Sequence, residues 1–195
     1  MIDKIMTNKL YIASIFLLCA LTYLLNYWTT IYQCALIFTI IAITVNIMTA
    51  MAGRFKSLTG LVSAIIISFA LLWKLPYYID GRLVNGLAVA SFLSLIISLY
   101  FSTSALTRFY SRFGFVIANA LSLGIAAIID GFVMGLFFVI NNNFSYARIM
   151  DIFNKEVSYK IFYGALASLL IFAVTKILQK GTARLPEYKR RTLTN

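Results

Sequence analysis

The chain has 195 residues, of which 62% are hydrophobic and only 12% charged, and its formal net charge is +11. Soluble domains run at about 45–50% apolar and about 25% charged. With a mean hydropathy of +0.90, the chain carries more apolar surface than a water-soluble fold of this size can hide, so a bilayer must solvate it. The balance excludes a soluble enzyme or signalling domain and predicts an all-α polytopic membrane protein.

In chain order, the N-terminus Met1–Lys9 leads into an apolar run without a small-residue cleavage site, which predicts a retained first span rather than a cleaved signal. A transmembrane helix needs about 20 mainly apolar residues. Six runs qualify: Leu10–Tyr27, Tyr32–Ala52, Leu58–Trp73, Val84–Ser104, Phe113–Ile140 and Tyr159–Leu178. The third is the shortest, and the fifth is long enough to require tilt. No linker or low-complexity segment divides the chain. The expectation is one integral membrane domain over residues 1–195, a bundle of six helices ending in a basic tail at 179–195.

The basic residues alternate between the connections. Lys4, Lys9, Arg54, Lys56, Arg108, Arg112 and the tail cluster Lys176, Lys180, Arg184, Lys189, Arg190 and Arg191 fall on one side. Lys74, Arg82, Arg148, Lys155 and Lys160 fall on the other, offset by Asp80, Asp151 and Glu156. The positive-inside rule then makes both termini cytoplasmic. The net charge is accounted for by topology and anionic headgroups, so no nucleic-acid partner is expected. The connections on the outer side are rich in aromatics (Tyr27, Trp28, Tyr32, Trp73, Tyr77, Tyr78, Phe144 and Tyr146), as in an interfacial belt.

Asp130 is the only charged residue deep inside an apolar span. A carboxylate near the bilayer centre costs at least about 2.5–3.5 kcal/mol on insertion scales. It is the leading candidate for binding a cationic or hydrogen-bond-donating solute, or for carrying a proton. Asn119, Ser122, Ala126 and Asp130 recur at helical spacing and share one face, which must look into the bundle. On the second span Thr39, Ala42, Asn46, Thr49 and Gly53 form a similar face, and Asn46 can donate and accept at once. Its alternative role is glue between helices. The fourth span carries Ser91, Ser94, Ser98 and Ser102 on one side, read first as a packing seam. Lys160, Gly164 and Ser168 align on the last span, with Lys160 placed where it could snorkel outward or approach the solute.

The chain has no histidine and two cysteines. Cys19 and Cys34 have no metal-ligand spacing, so no metal or other cofactor is expected. Neither a phosphate-binding Gly-rich loop nor a nucleophile elbow is present. Catalysis would have to run on one buried Asp, and the chain is not expected to be an enzyme.

The order of features resembles the vitamin uptake transporter-like (VUT) family, the queuosine-precursor transporters of bacteria, over roughly Asn26 to Leu178. The matching points are Leu25-Asn26-Tyr27 at the end of span one, and Asn46 seven residues before Gly53 with Arg54 and Lys56 following. The aromatic and basic turn Thr107-Arg108-Phe109-Tyr110-Ser111-Arg112 follows, then Ser122, Asp130, Phe132 and Phe137-Phe138. The chain departs from the family pattern in carrying Asn46 and Ala50 where acids are usual, Ala105 where an Asp is usual, and no Pro in the last span. Lys160 matches the last-span Lys of the family only with a slip in register. The resemblance implies a transporter of the bacterial inner membrane that imports 7-deazaguanine bases such as preQ0 and preQ1. Asp130, Asn46, Asn26, Ser122, Asn119 and Lys160 would line its site. Expected partners are a small-molecule solute and the lipid bilayer, with a homo-oligomer compatible.

Two other classes fit the same residues. A substrate-binding subunit of an energy-coupling-factor vitamin transporter is also a small six-helix protein, and it alone would require ATPase partners. The small-residue docking motif expected on its first span is not evident, since Ala13 is followed four residues on by Leu17. A non-transporting membrane scaffold would use the polar stripes only as helix glue.

Overall fold

The computed structural model describes residues 2–28, 30–72, 78–79, 82–141 and 144–183. Its elements are α1 (Ile2–Tyr27), α2 (Ile31–Ala52), α3 (Arg54–Leu72), β1 (Tyr78–Ile79), β2 (Arg82–Leu83), α4 (Leu87–Ile140) and α5 (Tyr146–Ala183). All five helices are long and apolar enough to cross a membrane. Two-residue strands β1 and β2 pair antiparallel and leave the all-helical character unchanged.

Glycine sets two of the reversals. Gly53 adopts φ 89° between α2 and α3, a conformation that side chains with a Cβ disfavour. Helix α4 has 54 residues and one non-helical position, Gly114, at φ 72° and ψ 174°. At 1.5 Å per residue an unbroken helix of that length would be about 80 Å long, far beyond a hydrocarbon core of about 30 Å. Instead the chain folds back at Gly114, because Ser94 in the first arm hydrogen-bonds Asp130 in the second. The arms run antiparallel. The aromatic and basic turn expected at Thr107–Arg112 is therefore helix, and one residue does the turning. No Pro lies in this stretch to end the first arm earlier.

A second difference lies before the last span. The connection expected between Ile140 and Tyr159 is largely helical, because α5 already begins at Tyr146. Ile149 and Ile152 are buried against Val84 and Phe138. Asp151 pairs with Arg148 and Lys155 at 2.9 Å each, at i−3 and i+4. An amphipathic turn with helical ion pairs is stable as helix even though its charges read as a loop.

Buried polar groups and aliphatic side chains share the inner faces, and the outer faces carry large apolar side chains. Phe16, Phe55, Ile66, Leu71 and Leu169 are all more than 60% exposed, which inverts a soluble fold and matches helices solvated by lipid. The main core joins α1, α2, α3 and the two arms of α4 through Leu18, Ile41, Val45, Leu61, Leu95, Leu99 and Leu123. Helices α2, α4 and α5 also pack mutually. The basic Lys9, Arg54, Lys56, Arg108, Arg112 and Lys176 lie toward the end of the bundle that holds the Gly53 and Gly114 turns, where the Tyr11 hydroxyl donates to the Lys56 carbonyl at 3.0 Å. Most of the C-terminal tail, with Lys74, Trp73, Tyr77 and Asp80, lies outside the described residues.

Candidate functional site

The face Asn119–Ser122–Ala126–Asp130 is buried throughout, with Asp130 5% exposed. Two helices supply its partners. The Ser94 hydroxyl donates to Asp130 Oδ1 at 2.6 Å, with the Asp130 carbonyl 3.0 Å away. Lys160 on α5 ion-pairs with Asp130 Oδ2 and also with Glu156, one turn earlier on its own helix. Lys160 is 3% exposed and its ammonium sits 4.3 Å from the centroid of the Phe38 ring. It does not snorkel. Its long stem runs inward because Asp130 and Glu156 offer two carboxylates where the apolar interior offers no water.

Formally this cluster carries two negative charges and one positive. With both carboxylates ionised, one lacks a full counter-charge. Burying a charge is costly unless it is paired and hydrogen-bonded. The cluster is complete only when a proton, a cation or a donor-rich solute makes up the deficit. Glu156 is the member closest to solvent, with its side chain 17% exposed. Cys34, near the start of α2, lies within the electrostatic reach of all three groups, and its thiol donates to the Trp28 carbonyl at 3.3 Å.

A second, neutral cluster lies farther along the bundle toward Gly53 and Gly114. Asn46 Nδ2 donates to Asn119 Oδ1 and Ser122 Oγ, both at 2.8 Å. Ser102 Oγ donates to Asn46 Oδ1 at 3.4 Å, and Ser122 Oγ donates to the Asn119 carbonyl at 2.8 Å. All four side chains are fully buried. The Asn46 amide is thus engaged at both its oxygen and its nitrogen, which suits it to joining α2 to both arms of α4. Asn119 Nδ2 has no partner, and neither does Ser168 Oγ on α5.

The structure brings Asp130 and Lys160 into one site and Asn46, Asn119 and Ser122 into another. Asn26 joins neither, since its amide donates back to the Thr22 carbonyl at 3.2 Å within α1. Sequence reasoning missed Glu156 as a member of the charged cluster and treated Ser94 as packing. A usable signal was present for both. Glu156 and Lys160 stand at i,i+4, with Ile149 and Ile152 completing one helical stripe. Ser94 is in phase with Ser98 and Ser102.

Comparison with models of protein families, with curated proteins and with solved structures found no match. The class of the protein rests on its own fold, an all-helical, multi-pass membrane protein with a charged cluster buried between its helices.

Proposed function

We propose that the protein is a transporter that imports a small, planar, nucleobase-like solute with amine donors, of the queuosine-precursor kind (preQ0 or preQ1). The observation that carries this reading is the buried sharing of one ammonium, Lys160, by two carboxylates, Asp130 and Glu156. A solute amine that binds Asp130 can displace Lys160 toward Glu156 without leaving the ammonium unpaired. Where the solute is a neutral donor, a proton taken up with it makes up the charge deficit. Release of both on the other side gives a direct route to proton coupling, and the solute leaves chemically unchanged.

In this reading α4 crosses twice, so the bundle has six crossings, and the basic end faces the cytoplasm with both termini. The membrane is the bacterial inner membrane. Aromatic side chains near the charged cluster, Phe38 among them, offer faces on which a flat base can stack.

Uptake of preQ1 by proteoliposomes containing this chain alone tests the proposal. Uptake that collapses with the proton gradient is expected. Binding without turnover would instead favour a subunit that needs partner ATPases, and neither binding nor uptake of preQ0 or preQ1 would remove the substrate assignment.

A further inference from the structure

Two polar atoms that no protein group satisfies lie on facing stripes of α4 and α5. Asn119 is fully buried and Ser168 is 7% exposed, and Asn119 Nδ2 and Ser168 Oγ both lack a hydrogen-bond partner. Buried polar atoms in a native protein are nearly always partnered by protein or ordered water. Their placement follows from the packing of the two helices. A Cβ on Gly131 would meet Val157 and Phe153, Asp130 reaches Lys160, and a Cβ on Gly164 would meet Leu123 Cβ at 3.5 Å. The helices therefore run antiparallel in a fixed register. One turn beyond Leu123 is Asn119, and one turn beyond Gly164 is Ser168. The two orphan groups belong to the same level of the interface.

The free groups are set by the neighbouring bonds. Ser122 Oγ donates its single proton to the Asn119 carbonyl, so it can only accept from Asn46. That fixes the NH2 of Asn46 toward Ser122 and Asn119. The Asn119 side-chain oxygen must then face Asn46, and its NH2 faces away. A free amide donor and a free hydroxyl lie at one level of the α4–α5 interface.

We infer that Asn119 and Ser168 form a second polar station, which takes a hydrogen-bond acceptor. The acceptor is an ordered water oxygen or, resting on the transport reading above, the carbonyl or ring-nitrogen edge of the solute. Ser168 stands two turns from Lys160, about 12 Å at 1.5 Å per residue, so one small base cannot span both places. Leu123 and Gly164 lie at the level between them. A solute moving from the charged cluster toward the Gly53 and Gly114 end would meet this station next.

Ser168→Ala in the full-length protein, followed by thermal unfolding in detergent with and without preQ1, is the test. Removal of a hydroxyl that holds a water lowers Tm by about 2–4 °C without ligand. Removal of one that holds the solute leaves that Tm nearly unchanged and raises the preQ1 Kd about tenfold. Either result supports the station and tells its occupants apart. The inference is overturned if the variant is as stable as wild type, or more so, and responds to preQ1 as wild type does, including no response in either. The ligand-free comparison stands even if preQ1 is the wrong solute, so the station and the transport reading can fail separately.

Discussion

The two halves of the bundle handle buried polarity in opposite ways. In α1–α3 every buried hydroxyl has a hydrogen-bond partner, Thr39 and Thr44 a carbonyl of their own helix and the other four one another. Thr22 and Ser68 meet at 2.7 Å, as do Thr49 and Ser57, and each pair also bonds to a backbone carbonyl. Around α4 and α5 Ser98, Ser102 and Thr103 are partnered too, but this region also holds the charged groups and the polar atoms left with capacity to spare. Among the described residues the buried charged side chains are Asp130 and Lys160, and the buried unpartnered atoms are on Asn119 and Ser168. The contrast separates scaffold from site. Closed hydroxyl pairs fix helices and have no proton left to donate. An incomplete cluster keeps a demand that a solute, a proton or a water can meet.

The contrast can be broken by mutation, and the largest effect is expected at Lys160. Lys160→Met leaves the buried Asp130 and the partly buried Glu156 without their cation, and loss of one partner of a buried pair costs about 3–5 kcal/mol. Chemical denaturation in detergent should show a large loss, and uptake should vanish. Asp130→Asn is expected to be milder, because Lys160 keeps Glu156. The variant should fold yet fail to bind solute. Equal instability of the two variants would refute the sharing of Lys160.

Packing of α4 on α5 gives the next effect. A methyl group at Gly131 would lie 2.6 Å from Val157 Cγ2 and 3.2 Å from Phe153. Gly131→Ala should lose about 1–3 kcal/mol through overpacking, whereas Gly164→Ala, with 3.5 Å to Leu123 Cβ, should be nearly neutral. A similar loss for both in a thermal melt would argue against the register. At the neutral cluster, Asn46→Ala strands the Asn119 oxygen and should lower stability by about 1–3 kcal/mol. The smallest effect is expected among the closed pairs. Ser68→Ala should cost about 0.6 kcal/mol, the average for hydrogen bonds between membrane helices, and leave uptake untouched. Impaired uptake in Ser68→Ala with normal folding would erase the distinction between the halves.

Much of this was legible in the sequence. Apolar run length located four helix ends, at Tyr27, Ala52, Leu72 and Ile140, to within a residue, whereas α5 runs five residues past the expected Leu178. Helical phase alone put Asn119, Ser122, Ala126 and Asp130 on one buried face. The start of α5 was not legible, because the charges between Arg148 and Glu156 mask a helix held by local ion pairs and two buried isoleucines. The same charges drew attention from Glu156, although its i,i+4 spacing to Lys160 was there to be read. The inward course of Lys160 depends on a carboxylate 30 residues away in sequence, and spacing within one helix carries no information about it. The turn at Gly114 was placed too early, since a single residue of positive φ leaves a much smaller trace than a loop.

The most direct test of the account is the preQ1- and preQ0-dependent thermal shift of purified wild type and Asp130→Asn. At a hundredfold excess over Kd, binding should stabilise wild type by about 2.7 kcal/mol. A shift in wild type that is lost in a folded Asp130→Asn protein is the predicted result and would place the carboxylate in the binding site. An equal shift in both proteins, or none in well-folded wild type, would contradict the central claim.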